Sequence, residues 1–321
     1  ETAQGLLLLW LVRRTLFGAP ALHLLLALTI GLLVFSPRGW HNWLMGMSGV
    51  AWITANLCTV AALTALYRST LSASVPWLVA SLGWGMLAST TYSTGLGVWP
   101  ALLVLALLLR LPARRLAAVV LSAALVVAVY AALYERPAQH PELQRSITLA
   151  GDYLLLFVGG TWSVEAAPGR LFGAAGLTLA VMLWIVHLRR GREPLGRSAP
   201  WMALQGYALA NGAMAALARS GFGAEQALSS RYASLPALFW IGLFALASLT
   251  WRAGWRRTAM TACLALALLL MVPGVYQMSR QPTATYLARA QLKPLAAASL
   301  YSGAPDLALL EEAVAPAGVV R

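Results

Sequence analysis

An all-α, polytopic transmembrane helical bundle is the fold class this sequence predicts, and three observations predict it. Hydrophobic residues make up 60% of the 321 and charged residues only 10%, with mean hydropathy +0.72, whereas soluble domains run at roughly 45–50% apolar and 25% charged. The apolar residues fall in runs about as long as a bilayer is thick. Basic residues collect in alternate connections between those runs, so the net charge of +13 reads as a topology signal and nucleic acid is not expected as a partner.

The first apolar run, Gly5 to Val12, is stopped by Arg13 and Arg14 and is far short of the roughly 20 residues a span needs. It reads as the cut end of a helix, with an N-terminal part of the protein expected before it. The opposite order of charge and apolar residues would mark a signal peptide. Nine candidate spans follow, at 20–35, 50–67, 75–92, 96–111, 116–134, 171–188, 201–218, 235–251 and 259–278. A tenth run, 147–160, contains Asp152; its length suits a re-entrant or interfacial helix better than a span. Cys58 and Cys263 lie inside apolar runs, where cysteine behaves as a small hydrophobe, so no disulfide framework is expected.

Charge fixes the expected orientation. With Arg13 and Arg14 in the cytoplasm and the tenth run not crossing, the cytoplasmic connections carry Arg68, Arg110, Arg114, Arg115, Arg189, Arg190, Arg192, Arg197, Arg252, Arg256 and Arg257 as well, against the single acid Glu193. The outer loops balance Arg38, Arg136, Arg145, Arg170, Arg219 and Arg231 against Glu135, Glu142, Asp152, Glu165 and Glu225. That asymmetry is the positive-inside pattern, and it would break if the tenth run crossed. A transmembrane domain over 1–278 and an extracytoplasmic amphipathic helical tail over 279–321 are therefore predicted, with Asp306 as a candidate N-cap in the tail.

Polar chemistry gathers on the outer side. The densest stretch is RSGFGAEQALSSRY, Arg219 to Tyr232. Gly221 and Gly223 permit unusual backbone angles, and a helical turn or two over EQALSSRY would put Glu225, Ser229 and Tyr232 on one side. Arg219 and Arg231 could bracket an anion, since guanidinium forks match phosphate oxygens; the alternative is that Glu225 pairs with one of them and the loop only caps two helices. In WHNWLMG, Trp40 and Trp43 around Asn42 fit either a sugar-stacking platform or an interfacial aromatic belt. Thr90 to Pro100 is a tight turn rich in glycine. Asp152 is costly in an apolar run and is either functional or satisfied by two amide donors or an arginine. His140 lies in a polar loop, and His23, His41 and His187 lie elsewhere, so no metal motif forms. Phosphate-loop, GxSxG and HExxH motifs are absent from the sequence. The spans are clean apart from Asn56, Gln205 and Asn211, which speaks against an ion-coupled transporter.

The order FSPRGWHNWLMG, TTYSTGLGVWP, YERPAQHPEL, GFGAEQALSSRYASLPALFW and SLYSGAPDLALLEEA resembles a widespread group of uncharacterised bacterial multispanning membrane proteins, themselves similar to the C-type glycosyltransferases. The resemblance runs through nearly the whole chain, and QALSSRY is its most specific part. It implies transfer of a sugar from a polyprenyl-phosphate carrier at the extracytoplasmic face of the bacterial inner membrane. Arg219 and Arg231 would then lie near the carrier phosphate, with Gln226, Ser229, Ser230 and Tyr232 facing sugar or carrier. C-type enzymes carry an acidic pair in the first outer loop; this chain has none, and His41 stands where an acid is expected. No catalytic base and no cofactor are assigned. The alternatives are a lipid-linked-sugar flippase and a noncatalytic subunit of envelope polysaccharide assembly.

Overall fold

The computed structural model describes residues 1–16, 20–44, 49–135 and 143–250, with 262, 265, 269, 291–299, 301, 302, 306 and 309. Regular structure among these residues is entirely helical. The chain divides into two compact units at Leu269/Leu270. Of the predicted span 259–278 only 262, 265 and 269 are described, and His140 lies outside the described residues.

The first unit opens with α1 (Thr2–Thr15) and α2 (Pro20–Val34), then a 3-10 turn, Pro37–Gly39, leading into α3 (Trp40–Leu44). A π-helical turn, Gly49–Ile53, runs into α4 (Thr54–Leu71), followed by α5 (Val75–Thr91), a 3-10 turn at Ser93–Gly97 and α6 (Val98–Leu108). Then come α7 (Ala113–Leu133), α8 (Ile147–Gly159), α9 (Ala166–Leu188), α10 (Arg192–Arg219) and, after three short turns, α11 (Ser234–Thr250). Among the described residues, four stretches are long and apolar enough to cross a membrane: Pro20–Trp43, Gly49–Leu71, Ala113–Leu133 and Ala166–Leu188. Ser93–Leu108, Ile147–Gly159 and Ser234–Thr250 are apolar but shorter. Local chemistry marks the helix starts: Pro76 sits in the first turn of α5, where its missing N–H costs nothing, and the Ser146 hydroxyl accepts the Leu149 N–H to cap α8.

The bundle is built around α10, which at 28 residues is about 42 Å long and packs against α6, α8, α9, α11 and α4. Its Trp201, Met202 and Tyr207 are wholly buried. The polar exceptions noted in the spans bind neighbouring helices or their own. Gln205 Oε1 accepts the Trp184 indole N–H at 2.6 Å and its Nε2 donates to Phe239 O at 3.4 Å. The Tyr207 hydroxyl donates to Asn56 Oδ1 at 2.9 Å, and Asn211 Nδ2 donates to Tyr207 O at 3.0 Å. Such bonds act as glue between apolar helices. Close approach elsewhere needs glycine: a Cβ on Gly159 would stand 1.8 Å from Gly169 O, and one on Gly173 only 1.9 Å from Leu155 O, so α8 lies directly on α9.

The ends of the bundle differ in chemistry. At one, arginines are bound to main-chain carbonyls: Arg115 Nη2 to Ala73 O at 2.7 Å, and Arg190 to Leu249 O and Thr250 O at 3.1 and 3.0 Å. The latter pair caps the C-terminus of α11, where a cation is favoured. His187, fully buried there, engages Ser198, Leu246 O and Thr250. In the second unit, 291–299 is helical, Ala296 is buried against Leu292 and Leu309, and Asp306 Oδ1 accepts the Leu309 N–H at 3.1 Å as an N-cap.

Candidate functional site

At the other end, residues 219–232 lie over the ends of α8, α9 and α10. They form three 3-10 turns, Ser220–Phe222, Ala224–Leu228 and Ser230–Tyr232, rather than the continuous helical turn expected over EQALSSRY. Gly223 breaks the first junction with φ 102°, a conformation that favours glycine. Ser229 breaks the second with extended angles, φ −60° and ψ 135°. Glu225, Ser229 and Tyr232 therefore do not share one helix side. The cause is tertiary. Arg38 Nη2 binds Leu228 O and its Nε donates to Gly160 O at 3.0 Å, while Asn42 Nδ2 donates to Arg231 O at 2.9 Å. These bonds draw the loop's carbonyls toward the segment after α2 and out of any helical ladder.

Arg38 and Asn42 are both buried, the latter 2% exposed with its Oδ1 unpartnered. Trp43 points the other way: it is exposed and donates its indole N–H to Glu1 Oε1 at 3.0 Å. Tyr232 is buried edge-to-face on Trp52 at 5.2 Å, with Tyr92 tilted against Trp52 at 5.4 Å and Phe157 6.2 Å from Tyr232. This aromatic string ties the turn after α5 to the loop. Gly97 seats that turn, since a Cβ there would lie 2.3 Å from Asn211 Nδ2 of α10.

The charges are sorted. Asp152 accepts two bonds from Arg170, at 2.6 and 2.8 Å, as a bidentate pair. Arg170 holds the Asp152 carboxyl below the usual carboxylate range, by hydrogen bond first. Arg219 and Arg231, half-buried, pair with no carboxylate among the described residues; Glu225 is exposed and does not bridge them. The Arg231 guanidinium lies 5.2 Å from the Tyr232 ring centroid, and its Nε is buried without a partner. Both guanidiniums are within electrostatic reach of the Tyr153 hydroxyl, which is buried beside Tyr232. Burial pushes that phenol well above its ordinary range, Tyr232 adds to the shift and the two arginines oppose it. Tyr153 is accordingly a neutral hydrogen-bond donor at physiological pH.

Among the described residues, buried polar atoms without a partner recur at this end: Asn42 Oδ1, Thr94 Oγ1, Thr161 Oγ1, Ser220 Oγ, Gln226 Oε1 and Arg231 Nε. Such atoms are costly unless something satisfies them. Ser229 and Ser230 are half-buried in the same loop. Of the residues expected to act together, Arg219, Gln226, Ser229, Ser230, Arg231, Tyr232 and Asn42 share the loop and its clamp; Trp43, Glu225 and the Asp152–Arg170 pair lie at its margin. No cluster of His, Cys, Asp or Glu among the described residues could hold a metal ion.

Sequence reasoning missed Arg38, Tyr153 and Trp52. Arg38 had a readable signal, a lone arginine in SPRGW straight after an apolar run; Tyr153 follows the conspicuous Asp152 and was overshadowed by it. Comparison with known families, with characterised proteins and with solved structures finds no match for this chain.

Proposed function

We propose that the chain is an integral bacterial inner-membrane protein that binds a polyprenyl-phosphate-linked sugar at the 219–232 loop, on the extracytoplasmic side, and transfers the sugar as C-type glycosyltransferases do. One observation carries the reading: Arg219 and Arg231, at the two ends of one loop, have no carboxylate partner among the described residues and both lie within electrostatic reach of the buried Tyr153 hydroxyl. Two guanidiniums and a neutral phenol suit a phosphate, and partial burial strengthens their attraction for it. In the transfer, the acceptor's hydroxyl oxygen bonds to the anomeric carbon as the carbon's bond to the phosphate oxygen breaks, and the hydroxyl proton ends on the departing phosphate monoester or on water. The guanidiniums then stabilise the departing phosphate. No described side chain is given the proton-accepting role.

The topology follows from the same reading. Nine spans with α8 not crossing keep the basic connections together. In support, Gln144, just before α8, donates its N–H to Leu217 O near the end of α10, and Gly160, just after α8, accepts from Arg38. Both flanks of α8 thus stand at the polar end, and 13 residues reach only about 20 Å.

A second reading is favoured by the engagement of Asp152 with Arg170: a carrier-binding subunit of polysaccharide assembly that performs no chemistry. A lipid-linked-sugar flippase is the third reading; of the mid-bundle polar groups, Gln205 binds neighbouring helices and Asn211 its own. The test is binding of a polyprenyl-phosphate sugar to the purified chain. Saturable binding that Arg231→Ala weakens about tenfold or more, roughly 1.4 kcal/mol, supports the carrier site; equal binding by folded variant and wild type overturns it. Release of the sugar to an acceptor then separates enzyme from subunit.

A further inference from the structure

We propose that the basic end of the bundle holds the headgroup of one acidic phospholipid at a defined site made by Arg14 and Arg68 on Trp10 and Trp77. The Arg14 guanidinium carbon lies 5.5 Å from the Trp10 ring centroid, one helical turn away on α1. Arg68, from α4, lies 5.9 Å from the same ring and 4.1 Å from that of Trp77 on α5. Three helices thus meet through two indoles and two guanidiniums.

A guanidinium drawn to an indole by its charge keeps its N–H donors free for another partner. Neither Arg14 nor Arg68 donates its side chain to, or pairs with, any described residue. Their neighbours at this end are committed: Arg115 to Ser69 O and Ala73 O, Arg190 to Leu249 O and Thr250 O, Arg197 to Glu193. Two like charges that share one ring repel each other. A phosphodiester that reaches both guanidiniums offsets that repulsion and accepts from each.

A lipid, rather than free phosphate, fits what surrounds the pair. Leu6, Trp10 and Arg14 follow at four-residue intervals along one side of α1, and Leu6 is 62% exposed. An acyl chain has an apolar bed there, directly below its headgroup. A choline headgroup would set its ammonium against two guanidiniums, so the site selects net negative charge. The inference uses the membrane location of the chain and nothing about the 219–232 loop.

Native mass spectrometry of the full chain, released from micelles containing equal phosphatidylglycerol and phosphatidylcholine, tests it. One phosphatidylglycerol is expected to be retained in preference. The double substitution Arg14→Ala with Arg68→Ala should reduce that retention about tenfold or more, with unchanged thermal unfolding in lipid-free detergent. Arg110→Ala with Arg114→Ala, which removes as much charge from the same end, should leave retention intact. Arg68→Lys keeps the charge and the fold but loses the planar fork, and should weaken retention measurably. Wild-type retention by the double variant or by Arg68→Lys overturns the proposal. So does an equal loss in the Arg110/Arg114 variant, which would mean diffuse charge, or displacement of the lipid by millimolar inorganic phosphate, which would mean an anion site without a lipid.

Discussion

A guanidinium as deeply buried as Arg38 needs negative charge nearby, and the structure supplies it without a carboxylate. Gly160 O ends α8, where the helix dipole is negative, and Leu228 O is the second acceptor. Arg38→Met leaves those carbonyls without donors, and each buried polar group so stranded costs about 1–3 kcal/mol. The unfolding midpoint in detergent should fall accordingly, and Arg38→Lys should recover only part of the loss because an ammonium cannot reproduce the fork. Tyr153→Phe makes the opposite test. It removes a hydroxyl whose role is assigned to a ligand, so carrier binding should weaken while the unfolding midpoint hardly moves; a large loss of stability with intact binding would make the phenol structural. The Asp152–Arg170 pair is partly exposed, and exposed pairs contribute little. Because the Asp152 pKa is lowered on folding, whatever it contributes is present above the ordinary carboxylate value and lost as pH falls through the lowered one. Wild type and Asp152→Asn should therefore converge in stability below about pH 4, a comparison that thermal melts at several pH values would make.

Between elements, contact is decided by glycine. Gly173→Ala drives a methyl into Leu155 O and must lift α8 from α9, at a cost of about 1–3 kcal/mol. Gly206→Ala is the control: its nearest neighbour would be 3.9 Å away, so it should be neutral or raise the unfolding midpoint slightly through helix propensity. A loss of stability as large at Gly206 as at Gly173 would remove close packing as the explanation. At this scale the sequence was most legible. Long apolar runs and their charged stops located α2, α4, α5, α7 and α9 within a few residues, and Gly223 announced a turn. The split at Ser229 was not legible, because nothing in EQALSSRY opposes a helix. The opposition comes from Arg38 and Asn42, almost 190 residues earlier in the chain. Likewise Asp152 advertised its cost but not its partner, which arrives 18 residues later on another helix.

For the whole molecule, the sorting of arginines predicts opposite accessibility of the two ends. Cysteine placed at Ser229 should react with an impermeant maleimide added outside intact cells, and cysteine at Ser72, in the exposed turn after α4, only after the membrane is opened; labelling in the reverse order would invert the proposed orientation. The native Cys58 is buried and should stay silent. The seat of Gly97 bears on the bilayer itself. It rests on Asn211, eight residues before α10 ends at Arg219, a difference of about 12 Å along the helix axis. The turn carrying Tyr92 and Thr94 is thus sunk well below the rim formed by Arg219. In a hydrocarbon layer about 30 Å thick, such a polar end would be a well rather than a plane. A long-chain carrier would gain from such a well: its phosphate could descend to the arginines while its tail stayed among the acyl chains, with no need to climb out of the membrane to be bound.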